Sequence, residues 1–163
     1  MSAAAAAQKV SVLRAVDIGA VLRDLIGKPV QVKELKPVIT VEDFYVIAEY
    51  DREDGTLGAS AAIDLPLSAS LAAALTLVPP GVAEASIKAK KLEEMLEENL
   101  GEVLNVIGRV FNAPETPRVI LRRKSKPPSA LPLKQFWFKS PTRHTIEVAV
   151  PGYKSGRLAV VAG

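Results

Sequence analysis

Apolar residues recur every three to four positions over residues 11–27, "SVLRAVDIGAVLRDLIG", and the run closes on Gly27. That period and that stop predict a helix. Pro29 blocks its continuation, and "PVQVKELKPVITV" over 29–41 alternates as a strand does. Two apolar stretches in 44–66 flank Asp54-Gly55, a hairpin signal. Pro66 opens a second helix, "PLSASLAAALTLV", which Pro79-Pro80-Gly81 ends. A long amphipathic stretch over 86–112 predicts one further helix, stopped by Pro114 and Pro117. "RVILRRK" over 118–124 reads as a strand and "KPPSALP" as a loop. "KQFWFKS", "RHTIEVAVP" and "GRLAVVA" read as three more strands. The order α-β-β-β-α-α-β-β-β-β predicts an α+β fold, a mainly antiparallel sheet with helices on one side.

The 86–112 helix carries two oddities. Leu96, Leu100, Val103, Leu104, Ile107, Val110 and Phe111 fall in a stripe roughly 120° wide on a helical wheel, the expected buried face. Glu98, Glu102 and Asn105 fall on the opposite side, with Glu102 and Asn105 one turn apart. Yet Asn is a mediocre helix former, and Gly101 and Gly108 each cost about 1 kcal/mol relative to Ala. The two glycines flank the polar stripe, where small residues allow another surface close to the helix backbone.

The first helix echoes this one. Residues 18–23 read "IGAVLR" and residues 100–105 read "LGEVLN", and each segment is soon followed by Ile-Gly. Apolar and Gly positions agree. The two outward positions differ, with Ala20 standing for Glu102 and Arg23 for Asn105. Packing alone explains only the shared part, and the two segments read as two copies of one helix.

Composition narrows the chemistry. At 163 residues and 48% hydrophobic, the chain has the size and make-up of one folded domain. Residues 10–163 are read as that domain and 1–9 as a disordered lead-in. There is no Cys and a single His, so disulfides, thiolate metal sites and His-rich metal sites are excluded. No phosphate loop, calcium loop or nucleophile elbow is present. No apolar run reaches the ~18 residues that span a membrane, and the N-terminus lacks the features of a signal peptide. A cytoplasmic protein is expected. Charge is uneven: residues 1–117 hold 11 Lys/Arg and 17 Asp/Glu, whereas 118–163 hold 10 and 1, so the chain's net +3 conceals a strongly basic final third. That third points to an acidic partner.

Glu102-Val103-Leu104-Asn105 resembles the E-x-x-N motif of the CheC/CheX/FliY chemotaxis phosphatases. In that family a Pro follows the Asn at a set distance. Here twenty-two residues separate Asn105 from Pro128, which matches. One intact motif beside one lost copy is more like the CheX branch. The family often places Asp or Ser where this chain has Glu98, a departure that keeps an acceptor on a longer side chain. The resemblance implies a pseudo-duplicated CheC/CheX-like fold. It also implies hydrolysis of the aspartyl phosphate on a response-regulator receiver. Asn105 would place the water and Glu102 would engage the receiver's lysine. Glu98, Gly101, Gly108 and Pro128 would support the contact. No cofactor of its own is implied, since the Mg²⁺ belongs to the receiver, and a homodimer is expected.

Two other readings compete. A non-catalytic relative would dock on a receiver or a flagellar switch protein, and Glu98 favours it. A nucleic-acid binder would use Arg122, Arg123, Lys124 and Lys126, with Phe136-Trp137-Phe138 as a stacking platform. The 5% aromatic content and the alternation of Phe136 and Phe138 onto one strand face argue against it.

Overall fold

A computed structural model describes residues 14–36, 43–112, 117–127, 134–140 and 142–163. The expected lead-in, residues 1–9, lies outside the described residues. Helix α1 (Ala15–Ile26) ends at Gly27, whose φ of 73° places it in the left-handed region and whose N–H bonds to the Arg23 carbonyl. Strand β1 (Gln31–Leu35) follows. Strands β2 (Val46–Arg52) and β3 (Leu57–Ile63) form the expected hairpin. At its turn the Asp54 carboxylate accepts from the Thr56 N–H at 2.9 Å and the Thr56 hydroxyl at 2.6 Å.

Helix α2 (Leu65–Leu75) is buried nearly all round, as its Ala- and Leu-rich sequence requires. Asp64 caps its N-terminus: one carboxylate oxygen accepts from Leu67 N–H at 3.0 Å and the other from Arg157 N–H at 2.9 Å. Burial raises the Asp64 pKa, against the pull of those bonds and of the Arg157 guanidinium. Helices α3 (Pro80–Ala89) and α4 (Glu94–Ile107) come next. A 3₁₀ turn (Gly108–Phe111) leads on to β4 (Val119–Ser125). A short helix α5 (Lys134–Lys139) and strands β5 (Thr142–Ala149) and β6 (Gly156–Ala162) complete the chain.

Two expectations are corrected. The stretch read as one helix over 86–112 is two. Lys90 adopts φ 58° and its N–H closes α3 on the Ile87 and Ser86 carbonyls, after which Leu92 is buried and its N–H bonds to the Tyr45 hydroxyl. Apolar spacing runs through this break because Leu92 belongs to the same core as Leu96. Residues 134–140, read as a strand, form α5 instead. Its end is tied by the Ser140 N–H and hydroxyl on the Phe136 carbonyl, at 3.0 and 2.5 Å. Six residues are too few for a period to tell strand from helix, and burial of Trp137 against Phe44, Ile47, Ala62, Ala159 and Val161 decides the matter.

The six strands pair antiparallel in the order β1-β5-β6-β3-β2-β4. Exchanging β1, β2 and β3 for β4, β5 and β6 reverses this list into itself. The sheet therefore has a pseudo-two-fold axis at the β3–β6 pair, and α1 and α4 precede equivalent strands. That is the duplication the family resemblance implies, in an α+β fold, with the echoed helices in equivalent places. Helices α1 to α4 cover one sheet face through Val46, Ala48, Tyr50, Ala61, Ile146 and Val160 among others, while α5 lies on the other.

Asp64 joins the α2 cap to β6, so Asp64→Ala is expected to destabilise the fold by about 2 kcal/mol, the loss of a cap plus an unsatisfied backbone N–H. Urea unfolding checks this. Asp64→Asn, which keeps an acceptor, should lose less.

Candidate functional site

Helix α4 holds together because its buried face outweighs its poor helix formers. Leu96, Leu100, Val103, Leu104 and Ile107 are all at most 1% exposed. Each such side chain contributes about 1.5–3 kcal/mol on burial, more than an interior Gly takes away. The helix is fastened to α2 by the Asn99 amide, which donates to the Ala72 carbonyl and the Thr76 hydroxyl, both at 2.9 Å. With that face fixed inward, Glu98, Glu102 and Asn105 stand exposed on the outer side.

The two glycines separate in role. Gly101 is half-buried, and a Cβ there would come within 2.9 Å of the Lys124 Nζ reaching over from β4. Its counterpart Gly19 faces Val32 of β1 in the same manner, at 3.1 Å. Gly108 is buried, and a Cβ there would stand 2.9 Å from the Tyr50 ring. The close approach expected of a partner at Gly108 is thus made by this chain's own Tyr50. The Tyr50 hydroxyl donates to the Leu104 carbonyl at 2.5 Å, its ring packs on Phe111 at 5.1 Å, and burial pushes its pKa up. Tyr50 was legible as an inward residue of an alternating strand, but nothing in sequence marked its helix partner.

Two further groups set the edges of the site. Asn112 bonds to both backbone groups of Val119, accepting at 2.9 Å and donating at 3.1 Å, and so holds the start of β4 beside the end of α4. Between them lies an open groove of about 160 Å³, lined by Asn105, Arg109, Asn112 and Arg118 over the β4 backbone. At the other end Glu97 accepts from the Tyr45 hydroxyl at 2.5 Å and from Lys126 at 2.9 Å, with the Lys126 ammonium 3.5 Å above the Tyr45 ring centre. Burial works to raise the Glu97 pKa, but the Tyr45 hydroxyl and Lys126, with Lys124 beyond, bring it below the usual value. Lys126 thereby ties the end of β4 to α4. Pro128 lies outside the described residues.

In α1 the positions equivalent to Glu102 and Asn105 are empty of this chemistry. Ala20 is exposed and apolar, and Arg23 donates to the Val30 carbonyl at 2.9 Å. On the opposite sheet face Trp137 is buried, so it offers no platform for a base. Among the described residues no cluster of acids and histidines could hold a metal, and no helix is long and apolar enough to cross a membrane.

Sheet order, duplication and helix placement define an α+β fold of the CheC/CheX/FliY type. No protein-family model matches the sequence, and no curated protein matches it. Solved structures do. FliY of Thermotoga maritima is 15% identical with a TM-score of 0.58, covering 90% of this chain and 82% of that one. The FliM middle domain of Vibrio alginolyticus is 12% identical with a TM-score of 0.62, covering 96% and 92%. CheX of Borrelia burgdorferi, solved in complex with CheY, BeF₃ and Mg²⁺, is 16% identical with a TM-score of 0.53, covering 90% and 93%.

Two outcomes test the frame of the site. Gly108→Ala is expected to destabilise the protein by about 1–3 kcal/mol, because the buried Tyr50 ring cannot yield freely, while Gly101→Ala, which meets only a lysine tip, should change unfolding less. Glu97 titrates below its ordinary 4.5 in the fold, so its contribution is complete above that pH and is lost as pH falls through the lowered value. The stability gap between wild type and Glu97→Gln should therefore be present at neutral pH and narrow in acid, as read by denaturant unfolding.

Proposed function

We propose that this protein binds phosphorylated receiver domains and hydrolyses their aspartyl phosphate. The observation that carries this reading is the placing of Glu102 and Asn105 together on the exposed face of α4. The sister helix has the same packing residues without that pair. The fold likeness to a CheX solved with CheY, BeF₃ and Mg²⁺ supports the same reading.

The chemistry asks little of the protein. An aspartyl phosphate is reactive, and the Mg²⁺ beside it is the receiver's. Water attacks phosphorus, the bond from phosphorus to the carboxylate oxygen breaks, and free phosphate and the aspartate are released. The Asn105 amide accepts from and donates to that water, holding it in line without any change in its own charge. Glu102 pairs with the receiver's lysine and sets the register of α4 over the pocket. This is catalysis by positioning, in which effective molarity supplies the rate. The charge-assisted contact at Glu102 supplies geometry as well as affinity. Both groups act from a protruding helix, so no deep cavity is required. The setting is cytoplasmic, where receivers work, and a homodimer accords with the family likeness.

A second reading, an adaptor that binds a receiver or a flagellar switch protein without hydrolysis, is favoured by Glu98 standing where the family carries Asp or Ser. The likeness to FliM supports it too.

The test is the decay of labelled phosphate on the source organism's receivers. Wild type is expected to speed it, and Asn105→Ala to abolish the acceleration with an unchanged melting temperature, since the side chain is exposed. Binding with an unchanged decay rate would select the adaptor.

A further inference from the structure

Three cations border the outward face of α4. Lys124 reaches from β4 to Gly101, one residue from Glu102. Arg109, one turn beyond Asn105, and Arg118, at the entrance to β4, line the groove that begins at Asn105. All three are exposed, and among the described residues none of them forms an ion pair. Their neighbours differ. Arg123 is held by Glu49 at 2.9 Å and Asp51 at 3.5 Å, and Lys126 by Glu97. The positive charge of β4 is thus divided. Part is held in ion pairs within the fold, and part stands outside them around the carboxylate and amide, with Lys124 still near enough to Glu97 to lower its pKa.

The room for Lys124 is specific. Gly101 leaves it open, and the equivalent space beside Gly19 in the first half is taken by Val32 and by Arg23, whose guanidinium is bonded to the Val30 carbonyl. The first half ties its cation to its own backbone, whereas the second half holds Lys124 there without an ion pair. Arg109 also sits past the last full turn of α4, where the helix dipole favours positive charge.

From this arrangement we infer that Lys124, Arg109 and Arg118 form a basic rim that docks the acidic ground around a receiver's phosphorylated aspartate. The inference rests on the receiver-binding reading and names the residues that give it affinity. A receiver pocket is a ring of carboxylates about an acyl phosphate, with one lysine. Glu102 answers the lysine, and the rim answers the surrounding carboxylates. Exposed rim charges act chiefly on encounter rate and salt dependence, and leave the chemical step untouched.

The experiment measures binding of the source organism's receivers, loaded with BeF₃ and Mg²⁺, to wild type and to the R109Q/R118Q/K124Q variant over a range of salt. The variant is expected to bind about tenfold more weakly at low salt and to approach wild type at high salt, with a shallower salt slope. K124R should restore most of the affinity that K124Q loses. Equal affinity and equal salt slope in wild type and variant would overturn the rim. So would a wild type that binds no receiver, or one that retains nucleic acid in its place through the same three residues. Receiver binding that depends on the rim without any hydrolysis would leave the rim standing and remove the phosphatase reading alone.

Discussion

Everything on the working side of this molecule depends on how α4 is seated on the sheet. The seat is the contact between Tyr50 of β2 and the last turn of the helix. Its ring fills the space left by Gly108, and its hydroxyl takes the Leu104 carbonyl. A buried phenol without a partner would be costly, and a larger residue at 108 would lift the helix. The contact fixes rotation as well as distance, because it holds Leu104 against the core while Glu102 and Asn105 stay exposed. Asn99 on α2 and Asn112 at β4 secure the same helix from two further directions. The role proposed for the exposed pair, reaching into another protein, requires that its own helix does not roll.

The duplication explains how such a face arises at little cost to the fold. Both halves supply a helix with apolar residues and glycine in equivalent places, and the two join at β3 and β6. The sheet needs the inward positions of both helices and neither outward pair. Ala20 and Arg23 can therefore differ from Glu102 and Asn105 while Ile18 and Leu22 of α1 stay buried as Leu100 and Leu104 of α4 do. Arg23 has been turned to structural use on the Val30 carbonyl.

Much of this was legible in the sequence, for identifiable reasons. The period of α1 and α4, the stop at Gly27 and the Asp54-Gly55 turn are local signals, and the structure follows them. The outward placing of Glu98, Glu102 and Asn105 followed from geometry once the apolar stripe was known. What was not legible depended on distant partners. Lys90 breaks a periodic stretch because Leu92 finds the core and Tyr45 finds its N–H. Residues 134–139 are helical because Trp137 finds the far face of the sheet. Gly108 reads as a surface residue until Tyr50 is known to lie beneath it. The uneven charge was plain in the composition. Its division into paired Arg123 and Lys126 and unpaired Lys124 and Arg118 required the register of β4 against β2.

The central claim is that the outer face of α4, and not its sister on α1, meets the receiver. The most direct measurement is photo-crosslinking from single reactive side chains to receivers loaded with BeF₃ and Mg²⁺. One probe replaces Glu98, a turn before Glu102, and the other replaces Ala20 on α1. The account predicts a crosslink from position 98 that maps to the loops around the receiver's phosphorylated aspartate, with little from position 20. Equal yields from the two positions, or a crosslink from position 20 alone, would contradict it.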